Sequence, residues 1–458
     1  MKLILIPLLV ISIVITSTGQ RLDANYAGVA EVVWHEVISE FPNGIRFKVN
    51  VKSDSVVEEI ALRMRVGQQN TGVYEYFDIE PSQTVSAELF WNTYSASKYI
   101  PPGTVISYSF EVSTANGLKH ASETYEFVFQ DVRFKWDEIS EGPVTVAYHG
   151  PVKSRAVDIL DAMLKTMAFM EIVLGEGKTD PIRVNMYNNT KEMLVALPPG
   201  SATIRRELIT EGQAFTKVGT LLVLGGGRLA TGTASHEVTH ILVHRVGDSV
   251  FGRVPSWLDE GLAEFGNVSP TVSYDVALDF GVHAGKLLPI TSMPSMPGDP
   301  EDVIMFYGQA RSIVEYMIIQ HGPAKMRELL AVLKSGKKID DAIISVYGMD
   351  RISLENQWRS YIGAPKYDPV SIESVLPTPL PRPTVTAFTL TPQVGGQTIA
   401  SFDERQSAKE NGTEMQSSSS GFCNRTNGDR GFDVTNVGFL GLLLFMSARK
   451  INHLKIFL

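Results

Sequence analysis

The residues of this chain with the clearest chemical potential lie in Ala234-Ser235-His236-Glu237-Val238-Thr239-His240. Two histidines four positions apart in a helix differ by only about 40° and sit one turn apart, so both imidazoles can reach one ion. Glu237 is turned about 100° from His236, which suits a group that manages a water beside a metal rather than the metal itself. In a chain this long such a pattern arises by accident roughly once in a hundred times, so a third ligand is needed to make the case. Pro255 to Phe265 supplies a carboxylate, Glu260, on the next expected helix. Hydrolytic zinc takes three protein ligands and keeps one position open, and two histidines with one glutamate form a common set. Gly261 and Ala263 are small enough to let this helix approach the first closely.

With those residues in view, the chain resembles the gluzincin metallopeptidases, specifically the peptidase MA-like domains. The resemblance rests on His236-Glu237-Val238-Thr239-His240 followed by Trp257-Leu258-Asp259-Glu260-Gly261-Leu262-Ala263-Glu264-Phe265. It extends from about Val144 to Gly363, through Phe306-Tyr307-Gly308-Gln309-Ala310 and Leu354-Glu355-Asn356-Gln357-Trp358-Arg359. The stretch with Tyr99-Ile100-Pro101-Pro102-Gly103 is similar to the module that precedes such domains in exported bacterial proteins. The resemblance implies Zn2+ held by His236, His240 and Glu260, Glu237 as general base, and a peptide or protein substrate. It implies Tyr307 as a donor to the developing oxyanion, against the alternative of a packed tyrosine at a helix start. No G-x-M-E-N-like sequence occurs, so aminopeptidase activity is not implied. Two other readings stand beside this one: a surface binding protein on an inactive zincin-like scaffold, and a purely structural zinc, which would want a fourth protein ligand.

Neighbouring residues are read more plainly. His244 lies one turn beyond His240 and is expected as a surface or core histidine rather than a ligand. Glu264 is either a partner to a ligand histidine or a solvent-facing acid. Gly225 to Gly227 lacks the Lys-Ser/Thr of a nucleotide loop. Thr220 to Leu224 is expected as the edge strand on which substrate backbone adds. Met305, Met317 and Met326 are expected to fill the core.

The elements around these residues predict an α+β fold, with an antiparallel β-sandwich-like domain followed by a mixed domain that the resemblance implies is a zincin-like peptidase domain. Period-two alternation marks Ile45 to Val51, Ile106 to Val112 and Tyr125 to Phe129, separated by Pro42-Asn43-Gly44, Pro101-Pro102-Gly103 and Asn116-Gly117. Helices are expected over Lys153 to Val173, Thr233 to Val246, Pro255 to Phe265, Ile304 to His321, Ala324 to Leu333 and Leu354 to Tyr361, with strands at 181–187 and 220–224. The expected division is a signal peptide over 1–20, the β domain over 21–140 and the peptidase domain over 141–363. A Pro/Ser/Thr-rich linker over 364–431 and a hydrophobic segment with a basic tail over 432–458 follow.

Composition narrows the classes. A net charge of -9 argues against nucleic-acid binding. One cysteine, Cys423, excludes both a disulfide framework and a Cys-rich metal site. Met1-Lys2 followed by the apolar Leu3 to Ile15 has the layout of a secretory signal, so the protein is expected outside the cytoplasm. The apolar run Val437 to Ala448 with Arg449-Lys450 predicts membrane association at the C-terminus, as an anchor or a sorting signal.

Overall fold

The computed structural model describes residues 30–369 except 70–71, 96–97, 176–179, 200–210, 228 and 298–299. The expected leader, the apolar tail and most of the linker lie outside the described residues, among which no helix is long and apolar enough to cross a membrane.

Seven antiparallel strands form the N-terminal module: β1 (Ala30–Glu40), β2 (Gly44–Val66), β3 (Val73–Tyr76), β4 (Ser82–Asn92), β5 (Thr104–Thr114), β6 (Lys119–Ala121) and β7 (Tyr125–Phe129). The alternation read in the sequence is realised: Ile45, Phe47, Val49 and Val51 are fully buried, while Arg46 and Lys48 between them reach acids on neighbouring strands. β2 is long enough to serve two layers. Its first half pairs with β1 and β4, its second with β3 and β5, and register shifts between Lys52 and Glu59 mark the passage. Bulges bend a strand in this way and let it change layers. The layers meet at Phe47 and Tyr108, whose rings are 5.5 Å apart, giving the sandwich-like module expected.

A second, mixed sheet begins at β8 (Trp136–Glu141), ahead of the expected boundary at 140, and continues through β9 (Val144–His149), β10 (Ile182–Tyr187), β11 (Gly212–Phe215) and β12 (Thr220–Leu224). Its order is β11-β12-β10-β9-β8, with β9, β10 and β12 parallel and both edges antiparallel. Helix α1 (Lys153–Leu174) links β9 to β10, and α2 (Thr190–Ala196) follows β10. Then come α3 (Ala230–Gly247), α4 (Ser256–Gly266), α5 (Val272–Ala284), α6 (Pro300–His321), α7 (Pro323–Lys334), α8 (Ile339–Tyr347) and α9 (Arg351–Tyr361). Val146, Val184 and Val223 of the sheet, Ile159 and Met163 of α1, and Val238 and Ile241 of α3 form one core. A second core gathers Trp257, Phe306, Met317 and Trp358 among α4, α6 and α9. Met305, Met317 and Met326 all belong to it, as expected of filler.

The module is fastened to the second sheet by polar and close backbone contacts. Gly103 has φ +93°, and a Cβ there would fall 2.4 Å from Asn185 Oδ1, so only glycine fits. Asn185 donates to Gln130 Oε1 at 2.7 Å, and the Thr104 and Thr220 hydroxyls are 3.3 Å apart. Arg245 on α3 donates to Gln68 Oε1 at 3.0 Å and to the Pro181 carbonyl at 3.1 Å.

A candidate metal centre at the crossing of two helices

α3 buries Ala234, Val238 and Ile241 against the sheet, which turns His236, Glu237 and His240 toward the opposite side. Ser235 Oγ donates to Gly232 O at 2.8 Å and Thr239 Oγ1 to Ser235 O at 2.8 Å, so the helix satisfies its own hydroxyls on the buried face. α4 starts after Pro255, whose φ of -60° and ψ of 145° make it the last extended residue rather than the first helical one. The close approach of α4 to α3 is made at Gly266, where a Cβ would lie 2.6 Å from Thr239 Oγ1. Gly261 instead faces α6, with the Ala310 carbonyl 2.5 Å from its Cβ position, which corrects the packing expected of it. Helical periodicity identified a small face on α4 but could not say which neighbour it met.

At this crossing the three expected ligands converge. His236 Nε2 and His240 Nε2 are 3.1 Å apart. Glu260 Oε2 is 3.3 Å from the first and 3.5 Å from the second. Tetrahedral zinc with bonds of about 2.0–2.1 Å requires donor atoms roughly 3.3–3.4 Å apart, so the triangle has the size of one face of that coordination shell. Glu260 Oε2 is buried, and the groups it meets are the two Nε2 atoms, so all three donor atoms face one point. The donor set therefore fits zinc.

Each histidine is backed by a carboxylate on its other nitrogen. His236 Nδ1 lies 2.8 Å from Glu264 Oε1, and His240 Nδ1 lies 3.0 Å from Asp259 Oδ1. Such partners fix ring orientation and raise ligand basicity. Glu264 thus takes the partner role, and is 3% exposed. Asp259, the residue just before Glu260, orients the second histidine. Its other oxygen is 3.0 Å from His244 Nε2, and His244 Nδ1 is 2.5 Å from Asp248 Oδ2. His244 is accordingly no bystander: a chain Asp248–His244–Asp259–His240 braces the centre. His240, His244 and Asp259 also bring donor atoms within 4.8 Å of one another, but these contacts are those of ion pairs and hydrogen bonds. The only signal for His244 in the sequence was its four-residue step from His240.

Charge in the centre is tightly tuned. Burial works to lower the His236 pKa, but Glu260 and Glu264 outweigh it and hold it at about 9. His240 is raised well above its usual value, burial again being overcome by Asp259 and then Glu260. Burial would raise Glu260, yet His236 and His240 bring it down to about 2. Glu237 runs the other way: burial pushes its carboxyl up, against His240, His236 and a backbone hydrogen bond from Ala214.

Tyr307 on α6 stands over the centre, its ring 6.1 Å from His236 and stacked on Tyr274 at 5.1 Å and 11°. Burial pushes its hydroxyl far up, with Glu260 adding to the effect, so it stays protonated. Gly308 beside it allows α6 to touch α5, since a Cβ there would meet the Tyr274 carbonyl at 2.2 Å. Two cavities, about 680 and 400 Å³, share Gly212, His236, Glu237 and Tyr307 and extend to either side of them.

The edge of the sheet beside the cleft is β11. This corrects the expectation for Thr220 to Leu224: β12 lies between β11 and β10, with Thr220 to Val223 buried. An apolar run is the mark of an interior strand; the four-residue β11 carries little periodic signal. Leu224 N donates to Glu211 O, and strand alternation then turns the backbone groups of Gly212 and Ala214 away from β12. Both residues line the larger cavity. A Cβ on Gly212 would fall 2.4 Å from Thr233 and 2.8 Å from Glu237, so glycine lets this edge approach α3.

Residues 161–364 match the family model described as the Peptidase MA superfamily. That match supports a zincin-like peptidase domain over this part of the chain. No curated protein matches the sequence. Among solved structures, the M1 zinc metallopeptidase from Deinococcus radiodurans is similar at 12% identity and a TM-score of 0.31, covering 77% of this chain and 96% of its own. An aminopeptidase N family protein from Idiomarina loihiensis is similar at 10% identity and a TM-score of 0.31, covering 74% of this chain and 75% of its own. At scores this low, the chemistry rests on the geometry of the centre itself.

Proposed function

We propose that this protein is a zinc-dependent peptidase, exported from the cytoplasm, that hydrolyses peptide bonds in segments laid along β11. The observation that carries this reading is the convergence of His236, His240 and Glu260 at tetrahedral spacing, with Glu237 beside them in an open cleft. When bound, zinc supplies the Lewis acidity that makes water acidic near neutral pH and polarises a carbonyl oxygen. His236, His240 and Glu260 hold it, and Glu264 and Asp259 keep the two imidazoles in register. Glu237, made more basic by burial, takes the proton of the attacking water and delivers it to the leaving amine. The Tyr307 hydroxyl, kept protonated, donates to the oxygen on which charge develops. Gly212 offers its outward-facing amide and carbonyl, and Ala214 its carbonyl, to an extended substrate in the manner of an added strand; the Ala214 amide is held by Glu237. Cavity on both sides of Glu237 gives room for residues on either side of the cleaved bond.

The test compares the zinc-loaded protein with Glu237→Gln on a fluorogenic peptide library, with zinc content measured for both. Hydrolysis by the first and none by the second, at equal zinc, supports the proposal. Equal turnover by both would assign the base elsewhere, and no turnover by either, with zinc bound, would leave the binding-scaffold reading.

A further inference from the structure

The turn between α3 and α4 carries two apolar side chains into solvent. Val250 is 92% exposed and Phe251 85%. The turn does not depend on burying them, because it is closed by its own polar atoms. Ser249 N donates to the Gly252 carbonyl at 2.9 Å, and Ser249 Oγ accepts from the amides of Phe251 at 3.2 Å and Gly252 at 3.1 Å. Beside it runs the link from α7 to α8, where a Cβ on Gly336 would lie 2.9 Å from the Phe251 ring. That approach brings Lys337 and Lys338, which follow Gly336 in the chain, beside the tip, with Arg253 at its base, all exposed, whereas Lys334 at the end of α7 donates to the Arg245 carbonyl at 3.0 Å. Lys337, Lys338 and Arg253 form no ion pair among the described residues. Of the nearby acids, Asp248 is engaged by His244 and Asp340 by Arg351, leaving Asp341 exposed. In a chain of net charge -9, this is a local cationic collar around an apolar point. Arg253 and His244 also line the larger cavity, so the tip stands at the mouth of the cleft.

We infer that the Val250–Phe251 tip inserts into an anionic lipid surface, with Lys337, Lys338 and Arg253 facing the lipid phosphates. The tip is convex, so a protein partner would have to supply a matching apolar pocket, whereas a bilayer offers an apolar interior behind a charged surface without one. Apolar side chains at the tip of a rigid turn reach the headgroup–acyl boundary, and basic residues beside them add attraction to anionic headgroups. Inserted in this way, the tip turns the mouth of the cleft toward the membrane plane.

The test uses the full-length chain with Cys423→Ser and Val250→Cys, labelled at the new thiol with an environment-sensitive fluorophore. A probe at this position reports the tip itself, whatever the C-terminal segment does. With phosphatidylcholine vesicles containing about 30 mol% phosphatidylglycerol, emission should brighten, shift to the blue and be quenched by spin-labelled acyl chains. Pure phosphatidylcholine should produce little of this. Adding Lys337→Gln and Lys338→Gln should raise the lipid concentration at half-response by about 25-fold, roughly fivefold for each lysine. Emission unchanged while the chain sediments with anionic vesicles overturns the proposal. So does a response that appears without lipid as protein concentration rises, which would make the tip a contact between copies of the chain.

Discussion

Replacing Glu264 with glutamine keeps the shape of a 3% exposed side chain and removes the charge 2.8 Å from His236 Nδ1. Two consequences follow, and they oppose each other. A ligand histidine that loses its carboxylate partner typically loses 10–100-fold in metal affinity, or about 1.4–2.7 kcal/mol. The same carboxylate also helps hold the His236 pKa at about 9 in the metal-free protein. At pH 7 that proton competes with zinc by roughly 100-fold, because the imidazole must be neutral to bind. Losing Glu264 weakens this competition, and each tenfold drop in proton affinity returns tenfold in apparent zinc affinity. The penalty should therefore be small near pH 7 and grow toward about 10–100-fold as the pH approaches 9. Zinc affinities of both proteins, read by competition with a chelating dye between pH 6.5 and 9, would show the ratio opening with pH. A ratio that stays within twofold at pH 9 would mean that Glu264 does not support the ligand, and one that shrinks with pH would reverse the argument.

Tyr307→Phe should lower kcat by about 10²–10³ with zinc content and KM little changed, as for loss of one oxyanion donor; a kcat within threefold of wild type would leave Tyr307 as packing alone. Gly261→Ala places a methyl group 2.5 Å from the Ala310 carbonyl and should cost about 1–3 kcal/mol, seen as a lower Tm; an unchanged Tm would show that α4 and α6 can part without penalty. His244 has its folded pKa raised to about 9 from 6.5, so its stabilising contribution is complete below about pH 6.5 and lost as pH rises through 9. In the metal-free protein, the stability gap between wild type and His244→Gln should narrow across that window in urea titrations, and a gap that widens would contradict the ion-pair chain.

The ligand set was legible because its information is local. A four-residue step fixes His236 and His240 on one helix face whatever surrounds them, and Glu260 belongs to the very next helix. What was not legible depends on how helices cross. Asp259 and Glu260 are adjacent in sequence, and only the angle of α4 against α3 sends one to the back of His240 and the other to its front. For the same reason the close approach expected of Gly261 is made by Gly266, while Gly261 faces α6. Among elements, β11 escaped notice because four residues carry almost no period. α5 was not singled out either: Val272, Val276 and Phe280 are exposed, so its apolar residues do not mark a buried stripe. The sandwich-like module was visible through alternation in β2 and β5, but the passage of β2 from one layer to the other depends on pairing with strands far away in sequence.

The joint at Gly103 and Asn185 has a consequence for how the protein is made. Synthesis runs from the N-terminus at about 5–20 residues per second, so the end of β7 emerges roughly 3–11 s before β10 begins to. A hairpin forms in about 1–10 μs and a β-sandwich in milliseconds to seconds, which leaves the sandwich time to close first. When β10 and β12 emerge, Gln130 and Thr104 are already in place to receive Asn185 and Thr220. The first layer of the peptidase half is thus laid down against a finished surface. A pause or lesion that delays the sandwich would leave those parallel strands without their template at the moment they are most prone to pair with another chain.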